Sequence, residues 1–299
     1  MHTAIQNTAP VTSSIPLRSL KSVNVSLREV VEYSLESNGS GFRLSLAKHT
    51  GAACGLDESV VHSLAEGIEY FHHASLIFDD LPCMDDAIER RGRRCLHRVF
   101  GESKSILAAL ALVNRAYTQC WQASARYTKH CEQAGRLVER CIGELGILDG
   151  QDRDLSFQSS YDAKEVKFIA ARKTGALLQL TLLLPAILSG VTYGEYLRLS
   201  RIARAWGIAY QALDDFSDII PSLMNAGKTP FQDIRQNRPN LVVALGQVKA
   251  SQELQRYMRI ADEQIKTLVA TDEKWAYLSV FHTALSLKEQ SLREAIEAA

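Results

Sequence analysis

Residues 57–86 read DESVVHSLAEGIEYFHHASLIFDDLPCMDD, and the order of apolar and acidic residues in this stretch decides the fold. Val60, Leu64, Ile68, Phe71 and Ser75 recur at three- and four-residue steps, the spacing of one face of an α-helix. The helix is predicted to begin near Asp57 and run to about Phe78. Pro82 forces its end, because proline has no amide hydrogen for a further turn and its ring obstructs that turn. Asp79 continues the apolar stripe one turn past Ser75. His72 stands seven residues earlier on the same face, about 10 Å away along the axis. An apolar helix face therefore ends in a carboxylate, and Asp80, Asp85 and Asp86 follow at once.

The rest of the chain extends the helical pattern. Its 299 residues include only 17 Gly and 7 Pro, and proline-free runs such as 83–184 leave room for long helices. Helices are predicted over Leu107–Tyr127 and Gln133–Leu148, then from a cap at Asp162 through Leu184, then over Tyr196–Ile219 before Pro221, with two more to finish. Lys228–Asn240, with four charges and two prolines, reads as a loop. With no linker and no useful strand alternation, the expected fold is all-α. It is a single-domain helical bundle over 25–299 around a central apolar cavity, preceded by an N-terminal tail, 1–24.

Composition narrows the function. Lys+Arg and Asp+Glu are 34 each, and zero net charge speaks against a general nucleic-acid binder. The nearest approach to a membrane span, Ala176–Ser189, is shorter than the ~18 apolar residues required and contains Gln179, Thr181 and Pro185. Six scattered cysteines without a metal-type pair, and a start that lacks a secretory pattern, lead to the expectation of reduced thiols in the cytoplasm.

The chain has fifteen aspartates, and seven fall in two short windows. The second window is Asp214-Asp215-Phe216-Ser217-Asp218, where Gly207, Tyr210, Asp214 and Asp218 share one helix face. Carboxylates on helices this apolar need cations or partners. Clustered oxygen ligands suit Mg²⁺, which keeps waters and bridges to phosphates. After the first window come Arg90, Arg91, Arg93 and Arg94, suited to bidentate phosphate contacts. Lys173 lies on a stripe with Val166, Ala170 and Leu177. It either snorkels or points into the cavity of the aspartates. Lys228 and Arg238, in the predicted loop, are placed to close over an anion. A helical apolar cavity with two carboxylate clusters and bases at its rim would bind a diphosphate while holding an apolar tail, and would stabilise the diphosphate as it departs.

These residues resemble the trans-isoprenyl diphosphate synthase (polyprenyl synthetase) family. Asp79-Asp80-(x)4-Asp85 followed by Arg90-Arg91-Gly92 is similar to its first aspartate-rich motif. Tyr210-Gln211-x-x-Asp214-Asp215-x-x-Asp218 is similar to its second. Gly150-Gln151-x-x-Asp154-Leu155 and Lys173-Thr174-Gly175 match between them, so the likeness covers roughly 37–245 and is strongest to geranylgeranyl diphosphate synthases of bacterial and plastid type. The resemblance implies the isoprenoid synthase fold, a homodimer, and three Mg²⁺ held by Asp79, Asp80, Asp85, Asp214, Asp215 and Asp218. It implies that Arg90, Lys173 and Lys228 hold an allylic diphosphate, with Arg238 standing where the family often has a lysine. Arg91, His72 and Arg43 would hold isopentenyl diphosphate, and Thr174 and Gln211 would face the reacting carbons. The implied reaction is ionisation of the allylic diphosphate and attack by the isopentenyl double bond, followed by proton loss. Chain length in the family depends on bulk one turn before the first aspartate. Ala74 and Ser75 are small there, which favours a twenty-carbon product.

One stretch departs from the pattern. Where the family carries Gly-Gly-Lys-Arg-x-Arg-Pro, this chain has Ser40-Gly41-Phe42-Arg43-Leu44-Ser45-Leu46, so Phe42 and Ser45 replace two bases. Each charged hydrogen bond contributes about 1.5–3 kcal/mol, enough for their loss to weaken isopentenyl binding by orders of magnitude. Two alternatives to the synthase follow. One is a terpene-cyclase-like lyase that only ionises an allylic diphosphate. The other is a non-catalytic subunit that modulates a partner synthase, against which the intact aspartates count.

Overall fold

The computed structural model describes residues 25–36, 39–158, 162–220 and 232–297. The expected tail 1–24 and Lys228 lie outside them. α1 (Leu27–Leu35) opens on a reciprocal cap in which Ser26 and Glu29 satisfy each other's backbone amides. α2 (Phe42–Ala53) and α3 (Glu58–Asp79) follow, and α3 runs one residue beyond the end expected from Pro82. Then come α4 (Leu96–Phe100), α5 (Glu102–Ala125), α6 (Cys131–Ile142), α7 (Ile147–Leu155), α8 (Ala163–Lys173) and α9 (Gly175–Ser189). α10 (Tyr193–Ile219), α11 (Gln232–Arg235), α12 (Leu241–Leu245), α13 (Gln247–Thr271) and α14 (Tyr277–Glu297) complete the chain. The all-α expectation holds.

The centre of the bundle is α9. Leu177, Leu178, Leu180, Leu182, Leu183 and Leu184 are buried around its whole circumference, so no face of this helix is solvated. That is why the most apolar segment of the sequence is a core helix, and no helix among the described residues is long and apolar enough to cross a membrane. α3 and α10, which carry the two aspartate windows, both pack on α9 and join the main core through Leu64, Ile68, Ile202, Trp206 and Phe216. A second, smaller core lies between α1, α3 and α5, around Val30, Val31, Ile77, Ala109 and Leu112.

Two predicted helices are each divided. The segment expected over Gln133–Leu148 stops at Ile142 and restarts at Ile147, with Gly143 and Gly146 in the break. The helix capped by Asp162, whose carboxylate accepts from the Lys164 amide as expected, breaks at Thr174 into α8 and α9. The segment read as a loop contains the single turn α11. A two-residue ribbon, β1 (Glu89–Arg90) and β2 (Arg93–Arg94), brackets Arg91 and Gly92, both at positive φ as a tight hairpin with a left-handed turn requires.

Candidate active site

α3 delivers Asp79 and Asp80 at its C-terminus, and the ribbon that follows folds Arg90 back onto them. Arg90 meets Asp80 Oδ1 through both Nε and Nη2 at 2.7 Å. The Cys95 thiol also donates to Asp80. Burial and that carboxylate push the thiol up to about 12. Asp79 is pushed up to about 6, first by burial and further by Asp85 and Asp154, while Lys173 and Arg90 oppose the shift. An aspartate in this state is short of positive charge.

Lys173 supplies part of it. Its ammonium meets Asp154 Oδ2 at 2.8 Å. Burial works against the charge, yet Asp154, Asp79 and Asp85 hold the lysine above its ordinary pKa. The lysine therefore points into the site rather than snorkelling. Its approach to Asp154 depends on Gly150: a Cβ there would collide with the backbone of Arg172 and Lys173, so only glycine lets α7 lie this close to the end of α8. Arg238 joins the same group. Its Nη2 donates to Asp85 Oδ1 (2.9 Å) and Met84 O (3.0 Å), and Nη1 lies 3.7 Å from Asp154. Gln236 donates to Asp85 O at 2.9 Å. The segment after the second aspartate window is thereby tied to the loop of the first.

α10 contributes the second cluster. It crosses α9 where Gly207 meets Gly175, and a Cβ on Gly207 would overlap the Gly175 backbone. This close crossing puts Thr174 Oγ1 2.9 Å from Gln211 Oε1, and Gln211 Nε2 donates to Asp215 at 3.0 Å. Asp214 is exposed and Asp218 half-buried. Asp215, which the resemblance groups with the metal ligands, accepts hydrogen bonds within the protein on both carboxylate oxygens. It is 1% exposed, its second oxygen accepts from the Leu241 amide at 2.8 Å, and burial raises its pKa well above the usual range. Its carboxyl is committed to holding the start of α12 against α10.

Two carboxylates with no assigned role complete the site. Asp233, on α11, is pushed up to about 7 by burial and then by Asp218, with Asp214 and Asp154 adding to it. Its amide donates to Asp218 Oδ2 at 3.3 Å, and Asn240 Nδ2 donates to its carboxylate at 2.9 Å. Asp154 acts on both Asp79 and Asp233, and so stands electrostatically between the two clusters. Asp154 belongs to a quoted motif. Asp233 is a lone acid in a segment read as loop, and no local pattern marks it.

The donor set fits hard cations. Among the described residues no three acid, thiol or imidazole side chains enclose an ion by themselves. Carboxylates raised by burial and by one another, such as Asp79 and Asp233, suit ions completed by water and phosphate oxygens.

A second basic group lies between α2 and α3. Arg43 is half-buried, its buried Nε has no partner among the described residues, and its pKa is lowered by burial and supported by Tyr210 and Glu69. Glu69, one turn before His72, is raised by burial and opposed by Arg43 and Arg91. Burial, then Arg43 and Arg91, hold His72 well below the imidazole range, so it is a neutral hydrogen-bonding group. The structure thus brings Arg43, His72 and Arg91 together and adds Glu69 as their counter-charge. Phe42 packs edge-on against Phe281 (5.3 Å between centroids) and Trp206 (6.4 Å). Ser45 Oγ lies 3.5 Å from His49 Nδ1, and His49 stacks on Tyr277. Of the two chain-length positions, Ser75 is half-buried and donates to His72 O, on the Asp79 face. Ala74 is 1% exposed in the core shared with α1 and α5.

Comparison with known proteins gives the same reading. The polyprenyl synthetase family profile matches residues 24–273. Geranylgeranyl pyrophosphate synthase 3, chloroplastic, of Arabidopsis thaliana is 32% identical over 258 residues, 84% of this chain and 71% of that protein. The geranyltranstransferase of Thermotoga maritima superposes with a TM-score of 0.70 at 26% identity, over 92% of this chain and 93% of that one. The Helicobacter pylori geranyltransferase, in complex with magnesium and isoprenyl diphosphate, shares the fold with a TM-score of 0.73 at 21% identity, over 94% and 93% of the two chains. With its aspartate-bearing helices crossing one central apolar helix and the family profile spanning most of its length, this chain belongs to the polyprenyl synthetase family and is a prenyltransferase.

Proposed function

We propose that the chain is a Mg²⁺-dependent prenyltransferase that joins isopentenyl diphosphate to an allylic diphosphate, farnesyl or shorter, to give geranylgeranyl diphosphate. The observation that carries this reading is the placement of Lys173, Thr174 and Gln211 at the close crossing of α8, α9 and α10, between the two carboxylate clusters. Asp79, Asp80, Asp85, Asp214 and Asp218 would hold the Mg²⁺, which supplies charge to stabilise the departing diphosphate. Asp215 positions their helix. Arg90, Lys173, Arg238 and Lys228 bind the allylic diphosphate. Arg43, Arg91 and neutral His72 bind the isopentenyl diphosphate. Thr174 directs its proton at Gln211, which leaves its lone pairs free for an electron-poor carbon. The small side chain of Ser75, on the Asp79 face, supports the twenty-carbon product, whereas Ala74 is buried in the core with α1 and α5.

The exposed stripe Leu107, Leu110, Tyr117 and Trp121 on α5 supports a homodimer. Six free thiols fit a reducing compartment such as the cytoplasm. Phe42 in an aromatic cluster favours a second reading, the lyase that ionises an allylic diphosphate without a partner substrate. The test is incubation with Mg²⁺, isopentenyl diphosphate and each of the five-, ten- and fifteen-carbon allylic diphosphates, with products identified by mass. A twenty-carbon alcohol after dephosphorylation is expected. Hydrocarbon formed from the allylic substrate alone would establish the lyase, and activity only alongside another synthase would establish the modulating subunit.

A further inference from the structure

A cavity of about 250 Å³ opens on the outer side of α8, between α6, α9 and α10. Arg140, Arg172 and Arg204 reach it from three different helices and Gln179 from a fourth, with Phe168 and Leu145 as its apolar wall. Among the described residues that line it there is no carboxylate.

The cavity exists because of the break between α6 and α7. A Cβ on Gly146 would collide with the carbonyl oxygens of Arg140 and Cys141, so glycine lets the chain double back tightly here. The turn leaves Leu145 O to accept from Arg172 Nη1 at 2.8 Å. Arg172 also pairs with Asp149 at 3.0 Å and lies 4.6 Å over the Phe168 ring, so its guanidinium is fixed at the wall. The other two arginines have no such neutralisation. Among the described residues Arg140 meets only the Tyr196 phenol (3.2 Å) and the Cys141 thiol, which burial pushes up to about 11. Arg204 has no hydrogen bond or ion pair with the described residues. Arg140 and Arg204 are exposed at the rim, and an anion between them and Arg172 would take bidentate hydrogen bonds from guanidinium groups on three helices.

We propose that this cavity is a second anion site, separate from the catalytic face, that takes a phosphate or diphosphate group. Its volume is below the usual ~300–1,000 Å³ of sites that enclose a whole organic ligand, so it encloses the anionic group alone. Two sources share that chemistry: inorganic diphosphate, and the headgroup of a prenyl diphosphate whose tail leaves over Phe168 and Leu145. The adjacent residues of α8 divide the two sites, with Arg172 facing outward and Lys173 bonded to Asp154.

The test is calorimetric titration of the full chain in EDTA, with inorganic diphosphate and then geranyl diphosphate as probes. Saturable binding is expected that weakens about tenfold in Arg204→Ala and again in Arg140→Ala, one charge-assisted contact each. Lys173→Ala leaves this binding in place. Equal affinity for the two probes identifies the diphosphate group as the whole determinant, and tighter geranyl diphosphate adds the tail; either supports the site. Wild-type heats in both arginine variants, loss of all binding in Lys173→Ala, or no binding to the wild-type chain would overturn it. The titration requires no turnover, so its outcome is independent of whether the chain elongates prenyl chains.

Discussion

Replacing Phe42 by lysine separates two effects that the structure places on one residue. In the wild-type chain the ring makes edge-to-face contacts with Phe281 at 5.3 Å and Trp206 at 6.4 Å. Each such pair contributes about 0.5–1.5 kcal/mol, so Phe42→Lys is expected to cost about 1–3 kcal/mol of stability. At about 2–4 °C per kcal/mol for a chain somewhat shorter than this one, that is a fall in Tm of roughly 2–12 °C. The second effect has the opposite sign. A lysine beside Arg43 restores a base where the family pattern has one, and a charge-assisted hydrogen bond of about 1.5–3 kcal/mol lowers the KM for isopentenyl diphosphate about 10- to 150-fold. The KM for the allylic substrate stays fixed, because its bases lie on the ribbon, α8 and the segment before α12. The assay is steady-state elongation with each substrate varied in turn, alongside thermal unfolding. A lower Tm with an unchanged isopentenyl KM would refute the argument that Phe42 sits where a base would grip the second substrate.

Other outcomes follow from the same contacts. Asp79→Ala or Asp214→Ala is expected to abolish turnover with the far-ultraviolet circular dichroism intact; full activity in both would remove the metal assignment. Ser75→Phe, on the half-buried face one turn before Asp79, is expected to shorten the product as read by mass, whereas Ala74→Tyr overpacks the core between α1 and α5 and lowers stability by about 1–3 kcal/mol. Asp79 near 6 and Asp233 near 7 lie above the unfolded aspartate value, so the folded state binds more protons between about pH 4 and 7. Their contribution to stability is full below the unfolded pKa and is lost as pH rises through the folded values. Metal-free Asp233→Asn should therefore gain Tm relative to wild type as pH is raised from 5 to 8, and Mg²⁺ should raise the wild-type Tm at pH 8. Leu110→Glu on the exposed α5 stripe is expected to give a monomer by light scattering; an unchanged mass would place the subunit contact elsewhere.

Much of this arrangement is legible in the sequence because it is local. The Val60–Ser75 stripe, the aspartates at its end and the arginines after Pro82 lie within forty residues of each other, and helical geometry alone puts Ser75 and Asp79 on one face. The break at Thr174 is not local. It accompanies close approaches, Gly207 on Gly175 and Gly150 on the Lys173 backbone, between residues distant in the chain. Glu69 is hidden for a related reason: an isolated acid on an apolar stripe gains its meaning only when Arg43 and Arg91 arrive from other elements. Asp215 is the converse case. Its motif groups it with Asp214, but a helix turns about 100° per residue, and that rotation carries its carboxyl into the α12 amide.

The same rotation explains how the chain loses two bases without losing Arg43. Phe42, Ser45 and His49 lie at i, i+3 and i+7 and share one face of α2, while Arg43 is on the neighbouring face toward Glu69 and His72. The departures from the family pattern are therefore one change of surface. A face expected to be cationic has become the aromatic seat of α14, where Phe281 meets both Phe42 and His49. Under the proposed function, bases restored at 42 and 45 would compete with the docking of the last helix for this face. Because Phe281 is shared, the two positions are coupled: bases restored at 42 and 45 together would perturb the same ring, and their stability costs would not add. Under the proposed function the remaining grip on isopentenyl diphosphate rests on Arg43, His72 and Arg91, with Glu69 as a counter-charge to the two arginines.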